Sequence, residues 1–271
     1  MRANMKQILL QVTAFLQFLF LSSSHSQSTA SRQVSTFSIE SPQLKSSKKI
    51  WIYLPKDYET STQKYPVIYM HDAQNLFDSK TSFVGEWNVD ETLDSLQAKV
   101  IVVGIEHGNE KRLDELTPYK NEKHGGGNAD AYLDFLVKTL KPEIDRKYRT
   151  KSGKRDTTIM GSSLGGLVSF YAVLKYPKVF GKAGIFSPSF WFTNDIYELA
   201  EKSPKIKAKI YFMCGDNEDT ETVSDMEKMV SVVSKKQNNN QNLIKKVVVK
   251  GGQHNEKLWR NEFPKAYLWL K

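Results

Sequence analysis

The sequence predicts an α/β domain with a mostly parallel central sheet flanked by helices. Three observations carry that prediction. Short β-branched or apolar runs alternate with longer helical stretches along most of the 271 residues. One run, Thr157–Met160, passes through Gly161-Ser162-Ser163-Leu164-Gly165 directly into an apolar helical stretch. Two later runs, Lys209–Met213 and Lys245–Lys250, end in loops that carry acidic residues and a histidine.

Taken in order, the expected strands are Ile50–Leu54, Val67–Met70, Val100–Ile105, Thr157–Met160, Ala183–Phe186, Ile210–Met213 and Val247–Val249. Helical stretches separate them, among them Ala129–Tyr148, Leu164–Tyr176 and Val223–Lys235. The run Gln237–Asn242 reads as a solvated loop before the last strand. The aromatic-rich stretch Lys257–Leu270 reads as a closing helix that Pro264 must kink or interrupt. No internal repeat or linker is visible, and the length suits one large domain.

The N-terminus reads as a secretory signal peptide, residues 1–26. Arg2 and Lys6 precede an apolar stretch, Ile8–Leu21, and small polar residues follow with a cut expected after Ser26. The stretch is too short and too poorly flanked to span a membrane, so no transmembrane segment is expected in the mature chain. Residues 27–46 read as a short polar tether, and 47–271 as the domain. Cys214 is the single cysteine, which excludes an internal disulfide and a lipid-attachment cysteine at the cut site. The net charge of +9 becomes +7 without Arg2 and Lys6, with 37 basic against 30 acidic residues. That excess is spread over Lys-rich helices and loops, and no zinc-finger spacing or basic stripe accompanies it, so nucleic acid is not an expected partner.

The Gly-x-Ser-x-Gly turn points to nucleophilic chemistry. A strand–turn–helix elbow exposes Ser163 on a strained turn, where a Cβ at Gly161 or Gly165 would crowd the backbone. The helix starting at Leu164 aims free N–H groups at a reacting oxygen. Alone, the five-position pattern also describes an ordinary Gly/Ser turn. His254, in Gly251-Gly252-Gln253-His254-Asn255-Glu256, lies just past the last strand run, and Asp216, Glu218 and Asp219 follow the one before it. In a parallel sheet all these strand ends share one edge. The order serine, acid, histidine is that of an α/β-hydrolase, with Ser163 attacking a carbonyl, His254 moving its proton and a carboxylate fixing the imidazole. Any of the three acids is chemically acceptable.

Several segments together carry a resemblance: Tyr65–Asp78 (YPVIYMHDAQNLFD), Leu140–Asp145 with Tyr148–Thr150, the elbow, Phe186–Trp191 (FSPSFW) and Gly252–Glu256 (GQHNE). From about Ser47 to Leu270 the chain resembles the esterase family of α/β-hydrolases that includes esterase D-like, feruloyl esterase-like and siderophore esterase-like proteins. The resemblance implies an α/β-hydrolase fold and a serine carboxylic ester hydrolase acting on a small-molecule or carbohydrate-linked ester, without a cofactor or metal. It places the acid about three residues beyond Gly215, which selects Glu218 with Asp216 as runner-up. It also puts the His71-Asp72 loop at an oxyanion hole formed by the amides of Leu164 and of Ala73 or Gln74, rather than at a metal. Ala73 departs from the family's usual glycine.

Trp191, just after a strand end, reads as a pocket wall, and Arg112 and Tyr119 as substrate contacts. His107 and His124 lie in polar, Gly-rich stretches that read as a mobile loop over the site. An acyltransferase on the same scaffold, or a catalytically silent binding module, are the alternative readings.

Overall fold

The computed structural model describes residues 28–238, 240 and 242–271. The expected signal peptide, residues 1–26, lies outside the described residues. In chain order the strands are β1 (Val34–Ser41), β2 (Ser46–Tyr53), β3 (Val67–His71), β4 (Ile101–Ile105), β5 (Thr157–Ser162), β6 (Lys182–Phe186), β7 (Lys209–Gly215) and β8 (Ile244–Val249). The helices are α1 (Val89–Ser95), α2 (Arg112–Leu116), α3 (Ala129–Phe135), α4 (Lys141–Lys147), α5 (Leu164–Lys175), α6 (Asp195–Lys202), α7 (Thr222–Lys236) and α8 (Glu256–Leu270).

The eight strands form one sheet in the order β1-β2-β4-β3-β5-β6-β7-β8. β2 pairs antiparallel with both of its neighbours, and every pairing from β4 onward is parallel. This is the expected mixed α/β architecture with a mostly parallel sheet.

The central strands are apolar at every position because both faces are covered. Val67 and Tyr69 of β3 enter one core cluster and Ile68 and Met70 the other; Ile210 and Phe212 of β7 alternate likewise with Tyr211 and Met213. That two-residue alternation sorts the helices. α5 buries Leu167, Val168, Phe170 and Ala172 in the first cluster, whereas α1 and α8 bury Val89, Leu93, Phe263 and Ala266 in the second. Each such side chain stabilises the fold by roughly 1.5–3 kcal/mol if it is a Val, Leu or Phe.

Three local expectations need correction. The stretch 27–46 is not a free tether: its residues 34–41 form β1, paired with β2 along its whole length. Phe37 and Ile39 alternate with polar residues and pack against the core, so the segment is a half-exposed edge strand. The stretch 129–148 is two α-helical pieces joined by a wider π turn at Leu136–Leu140. Pro142, two residues further on, has no N–H to donate back, so a widened turn relieves the clash a regular helix would meet. Pro264, by contrast, does not interrupt α8, which runs through it to Leu270. Buried Leu258, Trp259, Phe263, Ala266, Tyr267 and Leu270 hold that helix to the sheet on both sides of the proline.

Candidate active site

The C-terminal ends of β3, β5, β6, β7 and β8 lie level at one edge, since Ser162 pairs with Phe186, Phe186 with Met213, and Gly215 with Val249. Loops leaving that edge bring the expected site residues together from distant parts of the chain.

Ser163 joins β5 to α5 with φ 57° and ψ −122°, a conformation a residue with a side chain rarely adopts. Backbone hydrogen bonds hold it there: its N–H donates to the Phe186 carbonyl at 2.9 Å, and its own carbonyl accepts from Leu167 and Ser189. The turn tolerates this only with glycine nearby. A Cβ on Gly161 would stand 2.8 Å from the Gly165 carbonyl carbon and 2.9 Å from the His71 ring. The Ser163 hydroxyl lies 3.2 Å from Ser189 Oγ.

His254 projects from the loop between β8 and α8. Gly251 makes the turn at φ +69°, and Asn255 caps α8 by accepting from the Leu258 N–H. Its Nδ1 is 2.7 Å from Glu218 Oε2. The Glu218 side chain is fully buried while that of His254 is 39 % exposed. The other carboxylate oxygen of Glu218 accepts from the Gly215 N–H and the Ser187 hydroxyl, both at 2.6 Å. Ser187 in turn accepts from Trp259 Nε1 at 2.8 Å, and the Trp259 ring meets His254 edge-on at 5.2 Å.

The two other acids of the loop have different partners. Asp216 accepts from the Gly251 N–H at 2.6 Å and ties the ends of β7 and β8 together. Asp219 accepts from the N–H groups of Glu221 and Thr222 and from the Thr222 hydroxyl, which closes the turn into α7 and holds its carboxyl below the ordinary range, although burial acts the other way.

Ser163 and His254 line one cleft of about 330 Å³ together with Asp72, Ser162, Arg112, His107 and Glu256. Its outer rim is Phe83 and Val84, and Phe83 is 91 % exposed. Arg112, an expected substrate contact, is on the cleft wall, where Nε and Nη2 grip both oxygens of Asp72 at 2.7 and 2.8 Å. Burial alone would raise the Asp72 carboxyl, but the guanidinium outweighs it and holds the group below the ordinary carboxylate range. Burial raises Glu256 and lowers His107.

The remaining expectations are met unevenly. Of the residues proposed for the oxyanion hole, Leu164 opens α5 and Ala73 and Gln74 form the turn after β3. The cleft lining there is Asp72, however, while Ala73 is fully buried and Gln74 bonds the His107 backbone. Trp191 does not line the cleft: it is 51 % exposed and packs on His124 and Phe192. Tyr119 does not line it either, because its ring meets Tyr171 edge-on at 6.1 Å. His124 belongs to a loop closed by the Asn121–Gly125 bridge and fastened by Asn121 Nδ2 to the Phe192 carbonyl. His71 Nδ1 lies 2.7 Å from the Tyr132 hydroxyl, and Asp72 is paired with Arg112.

The whole region from residue 41 to 270 matches the model of the family described as "Putative esterase". The chain belongs to this esterase family. Among its relatives is YbbA, an uncharacterized protein of Bacillus subtilis, 28 % identical over 236 residues that cover 82 % of this chain and 92 % of the relative. The ferri-bacillibactin esterase BesA of the same organism is 31 % identical over 142 residues, covering 46 % of this chain and 48 % of BesA. The solved structure of the enterobactin esterase FES from Shigella flexneri superposes with a TM-score of 0.72 at 20 % identity, covering 90 % of this chain and 60 % of that one. The protein is thus a carboxylic ester hydrolase of α/β-hydrolase fold.

The sequence did not single out several residues that build this esterase's cleft. Ser187, Ser189 and Trp259 join the site only through tertiary contact, although both serines lie in the FSPSFW segment. Phe83 and Val84 carry no periodic signal at all. Among the described residues no helix is long and apolar enough to cross a membrane.

Proposed function

We propose that this esterase works through an acyl-enzyme on Ser163, with His254 as general base and Glu218 as the acid that orients it. The observation that carries the reading is the 2.7 Å contact between Glu218 Oε2 and His254 Nδ1 beside a strained Ser163 on the same cleft. In this mechanism Ser163 rotates away from Ser189 and hydrogen-bonds His254 Nε2, a contact that free enzymes often hold loosely. Its oxygen attacks the ester carbonyl as the proton passes to Nε2. The oxyanion is received by the Leu164 amide and a second donor from the turn that contains Ala73 and Gln74. His254 returns the proton to the departing alcohol, then activates a water that releases the acid.

A partly exposed His254 in an open cleft favours water over a second alcohol as acyl acceptor, and so hydrolysis over transfer. The ester we favour sets an apolar group on Phe83 and Val84 and a polar or anionic one towards Arg112. Siderophore esters, named in the relatives, head the compounds to test, followed by feruloyl and acetyl esters. Export by cleavage near Ser26 belongs to the same proposal and rests on the basic and apolar N-terminal pattern.

Turnover of that ester panel by wild type and Ser163→Ala tests the reading. Activity on at least one ester, abolished in the variant, is expected; equal turnover by both proteins contradicts it. N-terminal sequencing of protein from the medium or envelope is expected to begin close to Gln27, and recovery of the protein in the cytoplasm with Met1 intact contradicts export.

A further inference from the structure

A second group of titratable side chains stands behind the rim of the cleft. Glu86 lies in the loop before α1, and Asp90 and Glu91 lie in the first turn of that helix. One carboxylate oxygen from each comes within 4.8 Å of the other two. Asp90 is fully buried and Glu86 is 5 % exposed. Glu86 Oε1, Asp90 Oδ1 and Glu91 Oε2 are all buried without a hydrogen-bond partner among the described residues, as is the hydroxyl of Ser31.

Asp90 and Glu91 face each other closely enough to share a proton, and as carboxylates neither has a donor for its facing oxygen. Thr29 Oγ1 donates to Glu86 Oε2 at 2.9 Å, and the Ser31 N–H donates to Asp90 Oδ2 at 2.7 Å. Arg260, whose charge reaches Glu86, donates instead to the Glu86 carbonyl and the Asn88 side chain. Burial raises all three carboxyls above their ordinary range, and the Arg260 charge offsets this only weakly, at Glu86. Buried carboxylates are ordinarily paired or bound to a metal. Asp78 does not supply the missing charge, being acidic itself and already bonded to Ser28, Thr29 and Lys80.

We propose that Glu86, Asp90 and Glu91 form a binding site for a divalent cation, and that the cation is Ca²⁺. The donors are oxygens alone, with no histidine or cysteine in the group, which disfavours zinc and copper. Carboxylates of two lengths beside a serine hydroxyl suit the flexible shell of Ca²⁺, with water completing it, better than the strict octahedron of Mg²⁺. The site joins three parts of the fold. The segment that carries it also carries Phe83 and Val84 at the cleft rim, and its Trp87 and Val89 N–H groups donate to Asn75 and Leu76 in the turn after β3. Thr29 and Ser31 bring in the chain just before β1. A bound Ca²⁺ therefore fastens the N-terminal segment, the rim and α1 to one another.

The test is Ca²⁺ uptake and thermal unfolding of the chelator-stripped full chain, compared with Asp90→Asn and Glu91→Gln. Wild type is expected to take up one Ca²⁺ per chain, with Tm rising by several degrees between chelator and millimolar Ca²⁺ and rising less in equal Mg²⁺. Each variant is expected to bind Ca²⁺ about tenfold more weakly or worse and to lose the rise. The competing arrangement is a proton shared between Asp90 and Glu91, and it predicts no uptake and a Tm indifferent to chelator. That result overturns the proposal, as does equal uptake by wild type and folded variants. Should Asp90→Asn fail to fold, the less buried Glu91→Gln variant decides the location.

Discussion

Glu218 meets His254 through Oε2 at 2.7 Å while its Oε1 is held by the Gly215 N–H and the Ser187 hydroxyl. Both of its oxygens are therefore committed, and the carboxylate is fixed in place before any substrate arrives. Trp259 supports the pair from both ends, since its Nε1 donates to Ser187 and its ring packs on the imidazole.

That geometry separates the loop acids. Glu218→Gln is expected to lower kcat by several orders of magnitude, on the order of 10⁴ as in well-studied triads. Asp216→Asn removes only a contact to the Gly251 N–H and is expected to leave kcat within a few fold of wild type. Steady-state kinetics on variants with matched melting behaviour check this, and a crippled Asp216→Asn beside an active Glu218→Gln contradicts the assignment.

With Glu218 as the orienting acid, Ser187 is expected to be a positioning residue. Ser187→Ala leaves Glu218 Oε1 with one donor and the buried Trp259 Nε1 with none, at a cost of about 1–3 kcal/mol in stability. Loss of alignment is expected to lower kcat about tenfold or more with little change in KM. A change confined to KM would place Ser187 in substrate binding instead.

The Asp72–Arg112 pair is asymmetric. Arg112→Ala strands a buried carboxylate at a positive-φ position and is expected to destabilise the protein by about 3 kcal/mol. Asp72→Asn keeps a side chain that tolerates that backbone and leaves the arginine, whose side chain is 29 % exposed, in partial contact with water, so it is expected to cost less. Denaturant unfolding of the two variants measures the difference, and equal losses contradict it.

His71 is buried on the Tyr132 hydroxyl, and burial pushes its imidazole down to about 4. The unfolded chain therefore binds the proton first. The stability contributed by neutral His71 is complete above the unfolded value of ~6.5 and is lost as pH falls towards about 4, by roughly 3 kcal/mol in all. Unfolding free energies of wild type and His71→Gln across that interval check it. Parallel pH dependences would show that the loss comes from other groups.

The central strands and the elbow were legible because they are buried on both faces and read as unbroken apolar runs. β1 was not: its apolar side chains Val34, Phe37 and Ile39 are only partly buried and irregularly spaced among polar residues in a half-exposed edge. Motif order and resemblance singled out Ser163, His254 and Glu218, three residues that converging strand ends of a parallel sheet bring to one edge. Trp191 misled because a residue two places beyond Ser189 turns outward in the Phe190–Phe192 turn. Phe83, Val84 and the Trp259–Ser187 link depend on how the loop after β3 and α8 pack across the edge, which no local pattern encodes. The same holds for Glu86, Asp90 and Glu91, which read as solvated charges until the fold buries them.

Labelling with a fluorophosphonate, followed by mass-spectrometric mapping of the modified peptide, tests the assignment of the nucleophile most directly. The probe needs an activated serine and reports the attacking oxygen itself. A single adduct on Ser163, lost in His254→Ala, is the expected result. An adduct on Ser162 or Ser189, or labelling of Ser163 that persists undiminished without His254, contradicts it.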